Sequence, residues 1–200
     1  MSSLANRKYT VDEYFELERT SDVRHEYHNG EIFAMAGAKL DHIRISKTIS
    51  RLIDDQGLEQ GCESFSSDAC VRIDDLHYVY PDVVVVCGKP DIGYEETVLN
   101  PSVVFEVLSE STQGYDYNLK FQRYQRIKTL TDYILVAQDR VLIIHHKRNG
   151  ETWKQYQTTV YSEQDERVEI ESIGCTLLVA DIYARIIFET QRLDDDPANI

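Results

Sequence analysis

The segment Tyr80-Pro81-Asp82-Val83-Val84-Val85-Val86-Cys87 constrains the fold more than any other stretch of the chain. Four consecutive valines favour extended backbone, and their lack of polar alternation marks a strand covered on both faces. A second run, Val103-Val104-Phe105-Glu106-Val107-Leu108, has the same character, with one acid inside it. Two covered strands require apolar layers on each side, so the chain reads as an α/β (α+β) sandwich, a mixed sheet flanked by helices.

The remaining punctuation is local. Thr10 caps a short helix, and Glu13 three residues on completes a capping box. Asn29-Gly30 is the preferred pair for a type I′ turn, so the stretch from Arg24 to Gly37 reads as a β-hairpin. Asp41 caps a helix reaching about Asp55, whose apolar face holds Ile43, Ile45, Ile49, Leu52 and Ile53. Strands are expected over Glu63–Ile73, Tyr78–Cys87 and Ser102–Leu108, then a helix from about Tyr115 to Lys128 with Tyr117, Phe121 and Tyr124 buried. Strands over Asp132–Ala137, Val141–Lys147 and Thr152–Thr159 form an antiparallel meander, and Gly174 to Phe188 closes the body. The expected division is a single domain over 1–190 and an acidic tail over 191–200.

With 200 residues the chain buries enough surface to fold without a metal or disulfide staple. Cys62, Cys70, Cys87 and Cys175 show no C-x-x-C and no histidine at zinc spacing, so all four are expected reduced. No apolar run approaches the roughly 20 residues that span a bilayer, and the first residues hold no signal-type stretch, which points to a cytoplasmic protein. Net charge is −14, half of it between Ser162 and Ile200, where ten acids face three arginines. Such a balance argues against passive coating of nucleic acid, which depends on phosphate neutralisation, but leaves room for a small metal-dependent site.

Asp82 and Glu106 stand where acids are costly. An ionised carboxylate among valines must find a cation, either a buried basic side chain or a metal. Strand alternation puts Glu106 on the face of Val104 and Leu108, so it cannot be assigned to solvent. Two such acids on neighbouring strands would form an oxygen-rich site suited to Mg²⁺ or Mn²⁺. Salt bridges to Arg44, Arg51, Arg72 or Lys120 explain them equally well.

Tyr80-Pro81-Asp82, a spacer of 23 residues and then Glu106-Val107-Leu108 resemble the bipartite motif of the PD-(D/E)XK nucleases. Within that superfamily the chain resembles the Uma-type family of restriction endonucleases. The resemblance is carried by Tyr9-Thr10-Val11-Asp12-Glu13-Tyr14, Arg24-His25-Glu26-Tyr27-His28-Asn29-Gly30-Glu31, Met35-Ala36-Gly37 followed by His42, and Phe65-Ser66-Ser67-Asp68. It continues through Asn100-Pro101, Ser109-x-Ser111-Thr112, Tyr115-Asp116, Lys120-Phe121-x-x-Tyr124 and Tyr133-Ile134-Leu135-Val136, spanning about residues 9 to 185.

The resemblance implies a restriction-endonuclease-like core and hydrolysis of DNA by a metal-activated water. Asp82 and Glu106 would be catalytic metal ligands for Mg²⁺ or Mn²⁺. The lysine that usually follows the Glu-x pair is replaced by Leu108, which makes Lys120 the candidate for a migrated catalytic lysine; a surface pair with Asp116 is its other reading. His42, just past the helix cap, is a candidate neutral base or phosphate contact. Glu26 and Glu31 flank the hairpin turn and could supply a further carboxylate, as flanking acids do in this superfamily, but read first as solvated hairpin ends. Asp68 could reach the metal or merely end an edge strand, and is placed outside the first set of ligands. His145 and His146 point to opposite faces and cannot share one metal. Cutting both strands of a duplex would favour a homodimer. The competing readings are a nuclease-like binding or assembly module without catalysis, and a hydrolase of RNA or small phosphodiesters.

Overall fold

The computed structural model describes residues 7–108 and 119–188. Helix α1 spans Val11–Thr20, with the Thr10–Glu13 capping box in place. A hairpin follows, β1 (His25–His28) and β2 (Glu31–Ala34), turning on Asn29 and Gly30, both at positive φ as a type I′ turn requires. Helix α2 spans Leu40–Gly57. It starts two residues earlier than a cap at Asp41 implies, so Asp41 lies in its first turn and pairs with Arg44. Ile45, Ile49 and Ile53, four apart, form its buried stripe, whereas Ile43, half a turn away, is exposed.

Two of the expected strands are each broken in two. Glu63–Ile73 divides into β3 (Cys62–Ser66) and β4 (Val71–Asp74), and Tyr78–Cys87 into β5 (His77–Val79) and β6 (Val83–Cys87). The breaks are a turn at Ser67-Asp68 and the Tyr80-Pro81-Asp82 segment, where proline has no N–H to continue a ladder. At each break the chain passes between sheets: β4 and β5 join β1 and β2 in a four-stranded sheet ordered β2-β1-β5-β4, while β3 and β6 enter the main sheet.

The chain continues with β7 (Val103–Leu108), a single-turn helix α3 (Phe121–Tyr124), and strands β8 (Asp132–Ala137), β9 (Ile143–Arg148) and β10 (Tyr156–Tyr161). The main sheet has the order β10-β9-β8-β7-β6-β3, with β7 and β8 parallel and every other pair antiparallel. The meander of β8, β9 and β10 is as the sequence predicts. A hairpin of β11 (Arg167–Ile170) and β12 (Cys175–Leu178) and a short helix α4 (Val179–Tyr183) close the body. The expected helix ends at Tyr124 rather than near Lys128; the part expected over Tyr115, Asp116 and Tyr117 lies outside the described residues, as does the acidic tail.

Both faces of the main sheet are covered, as the valine runs demand. On one face Val83, Val85, Phe105 and Ile134 pack against Ile45, Ile49 and Ile53 of α2 and against the closing hairpin. On the other, Val84, Val86, Val104 and Leu108 pack against Phe121, Tyr124, Ile127 and Leu130. The four-stranded sheet and α1 enclose a separate aromatic cluster of Tyr14, Phe15, Tyr27, Tyr78 and Tyr80.

The cysteine expectation is corrected at two positions. Cys62 and Cys87 form a disulfide between β3 and β6, while Cys70 and Cys175 are buried thiols. The two half-cystines are direct register partners on adjacent antiparallel strands, which places their side chains on one face. Their separation of 25 residues carried no sign of this, because the pairing depends on a long-range ladder. No described helix is long and apolar enough to cross a membrane.

Candidate active site

Strand β6 begins at Val83 and its ladder with β7 runs only from Val85↔Val103 to Val83↔Phe105. Continued two residues further, that register would set Val107 opposite Pro81, which cannot donate. The Asp82 carboxylate fills the gap: its Oδ2 accepts the Val107 N–H at 2.7 Å. Oδ1 lies 2.6 Å from Nε2 of His42, in the first turn of α2. Asp82 is therefore held by the end of one strand and the beginning of one helix.

Glu106 shares the sheet face of Val104 and Leu108, as alternation requires, and is almost fully buried. Lys120, at the start of α3, donates to both of its oxygens, at 3.1 Å and 3.2 Å, and the Tyr124 hydroxyl one turn later donates to Oε1 at 3.0 Å. The salt-bridge reading and the site reading of Glu106 thus meet in one residue. The other proposed partners are committed elsewhere: Arg44 to Asp41, Arg51 to Asp55 and Arg72 to Asp75. The Asp116 alternative for Lys120 lies outside the described residues.

The hairpin reading of Glu26 is corrected. Its carboxylate is 1% exposed, with Oε1 at 3.1 Å from Lys120 Nζ and Oε2 at 3.1 Å from His28 Nε2. Strand β1 is not a free hairpin arm. It lies between β2 and β5, pairing Tyr27↔Tyr78 and His28↔His77, so its whole length is buried. That long-range pairing had no local signal. Burial alone would raise the Glu26 carboxyl, but the Lys120 ammonium and the His28 hydrogen bond outweigh it and hold the group well below the usual carboxylate range. Burial pushes His28 down, against the pull of Glu26. Burial, and then the Glu106 charge, push the Tyr124 phenol far up, so it acts as a neutral donor.

Asp82, Glu106, Glu26, Lys120 and His42 all line one cleft of about 1110 Å³. Its walls are α2, the Ser66-Ser67-Asp68 turn and the Tyr80–Asp82 crossing between sheets, with Gln138 beyond the end of β8. Asp68 also lines the cleft, exposed and paired with Arg24 at 3.3 Å, whereas Glu26 and Glu106 are buried. Glu31 stays at the surface with Lys8. His145 bonds Asp132 while His146 stacks on Phe121, one on each face of the sheet. Among the described residues no three His, Cys, Asp or Glu side chains converge as a complete metal cage.

Over residues 11–180 the sequence matches the model of the Uma2 family, described as putative restriction endonucleases. The chain belongs to this family. Two relatives come from Synechocystis sp. (strain ATCC 27184 / PCC 6803 / Kazusa). Uncharacterized protein slr1290 is 34% identical over 183 residues, covering 90% of this chain and 94% of its own length. Uncharacterized protein sll1609 is 34% identical over 145 residues, covering 71% and 82%. The crystal structure of a putative nuclease belonging to DUF820, from Anabaena variabilis ATCC 29413, superposes with a TM-score of 0.72 at 17% identity, covering 88% of this chain and 98% of that one. The chain thus shares the fold of that protein, and the mixed α+β architecture is as the restriction-endonuclease-like expectation has it.

Proposed function

We propose that this Uma2-family chain is a metal-dependent endonuclease that hydrolyses DNA phosphodiester bonds, with Asp82 and Glu106 as metal ligands and Lys120 and His42 as catalytic residues. The observation that carries the proposal is that Asp82, Glu106 and Lys120 line one cleft, coming from the residue just before β6, from the adjacent strand β7 and from the start of the following helix. The donor set fits Mg²⁺ or Mn²⁺. It consists of hard carboxylate oxygens, and Mg²⁺ keeps several waters and takes only one or two carboxylates, which suits a site short of a full cage. A cation held there supplies a water of lowered pKa and neutralises charge on the scissile phosphate.

The chain's own residues do the rest. His42, hydrogen-bonded to Asp82 through Nε2, is oriented at the cleft wall, where it can accept or pass on a proton. Lys120 brings a positive charge into the cleft beside Glu106, which supports its reading as the migrated lysine and as a stabiliser of charge developing on the phosphate. Leu108 cannot take that part, being packed in the core beside Phe121 and Tyr124.

Titration calorimetry of Mg²⁺ and Mn²⁺ into the wild type and Glu106→Gln, followed by plasmid and single-stranded DNA assays, tests the proposal. Saturable binding lost in the variant, together with metal-dependent cleavage, is the expected result. Absence of binding at millimolar metal, with and without DNA, would overturn it in favour of a binding module. Cleavage of RNA alone would move the substrate class. Cutting both strands of a duplex calls for two copies of the site, so the active species is proposed to be a homodimer, which sedimentation of the protein–DNA complex would show.

A further inference from the structure

Lys120 does not belong to Glu106 alone. Its Nζ is 3.1 Å from Glu106 Oε1 and equally 3.1 Å from Glu26 Oε1, and all three side chains are at most 7% exposed. The two acids reach the ammonium from different sheets, Glu106 from β7 and Glu26 from β1. Glu26 is the fixed one of the two, since His28 holds its other oxygen at 3.1 Å and β1 is paired on both sides. Glu106 lies one residue beyond the β6 ladder and directly precedes Val107, whose N–H donates to Asp82.

We infer that Glu26 is a positioning residue that takes over Lys120 when Glu106 is engaged by a divalent cation. This rests on the metal-dependent reading above. A carboxylate with both oxygens facing an ammonium cannot also serve a dication without strong repulsion between the two cations in a buried setting. The lysine tip must withdraw, and a buried ammonium withdrawn without a partner is costly. Its four-carbon stem lets the tip swing while the backbone stays in place. Glu26, already in contact, receives it without the charge leaving the protein interior. Lys120 then stays beside the reaction centre, paired with an acid that is not a metal ligand.

Calorimetric Mn²⁺ titration of four proteins, the wild type, Glu26→Gln, Lys120→Met and the double variant, tests this without measuring turnover. Glu26→Gln is expected to weaken binding about tenfold, a usual size for coupling between neighbouring groups, and Lys120→Met to tighten it. In the Lys120→Met background, Glu26→Gln is expected to cost less than about threefold, because the effect acts through the lysine. A bare loss of charge, or direct ligation by Glu26, would cost at least as much there as in the wild type, and that result overturns the inference. So does an unchanged affinity in Glu26→Gln. Glu26→Asp, which keeps the charge, is expected to recover much of the lost affinity.

Should Lys120→Met fail to fold, lysine Nζ resonances replace the cycle. The slowly exchanging ammonium of Lys120 is expected to persist at saturating Mg²⁺ in the wild type and vanish in Glu26→Gln; persistence in both would sink the idea. A wild type that binds no divalent cation refutes the proposed function itself, whereas one that binds normally alongside an unaffected Glu26→Gln refutes only the role of Glu26.

Discussion

Replacing Lys120 by Met tests whether the two buried acids are compensated as the geometry requires. The substitution keeps the stem and most of the volume but removes the ammonium lying 3.1 Å from both Glu26 and Glu106. The carboxylates have side chains only 1% and 4% exposed, so solvent screening gives little relief. The Tyr124 hydroxyl and His28 remain as donors, but both are neutral when buried. Removing one partner of such a cluster costs about 3–5 kcal/mol. For a chain of this length that lowers Tm by roughly 10–15 °C.

The pH dependence distinguishes this cause from loss of packing. In the wild type Glu26 has a folded pKa below its usual value, so its stabilisation is fully present above about pH 4.5 and is lost as the pH falls through the depressed value. Without the lysine, burial dominates and the folded pKa rises above the unfolded one. The penalty then stands at neutral pH and is relieved as the pH falls and the acids take up protons. Urea unfolding at pH 7 and pH 5 is expected to show a cost smaller by at least about 1 kcal/mol at the lower pH. A cost under about 1 kcal/mol at pH 7, or one equal at both values, would refute the charge argument.

Asp82→Asn keeps an oxygen for the Val107 N–H, so denaturation is expected to change by less than about 1 kcal/mol, while cleavage of plasmid DNA falls by about 100-fold or more. A large stability loss would instead make Asp82 a strand-end cap. Reducing Cys62–Cys87, which closes a loop of 25 residues, is expected to cost about 3.5 kcal/mol and lower Tm by about 10 °C; no shift on adding dithiothreitol would show that the ladder alone suffices. Burial pushes His146 down to about 4, so the unfolded chain binds the extra proton between that value and its usual 6.5. Stability is expected to decline as the pH drops through this window, and His146→Phe to remove part of the slope; an unchanged slope would assign the acid sensitivity elsewhere.

What could be read from the sequence is what depends on neighbours in the chain. The Thr10–Glu13 box and the Asn29-Gly30 turn act over three residues, and the valine runs report burial at their own positions. The side of the sheet that Glu106 takes follows from counting two residues either way. Strand partners are another matter. Glu63–Ile73 and Tyr78–Cys87 read as continuous because nothing local says that β3 and β6 pair in one sheet while β4 and β5 pair in another. The missed disulfide and the misplaced Glu26 share that cause, since each depends on which strand lies alongside.

The same distinction bears on the proposed reading of Lys120 as a migrated lysine. Two positions beyond Glu106 on one strand, a side chain returns to the same face, and here that face is core: Leu108 packs among Phe121, Tyr124 and Leu135. A lysine there would stand among apolar side chains. Helix α3 packs on this face directly after Lys120, which lies one turn ahead of Tyr124, so helical spacing carries the ammonium and the phenol to Glu106 together. A cation can therefore be supplied from the covering layer at the same carboxylate, leaving the strand position apolar. On the proposed reading, the motif's third residue is supplied by a different element of the chain, and the folded geometry, not the spacing in sequence, identifies it.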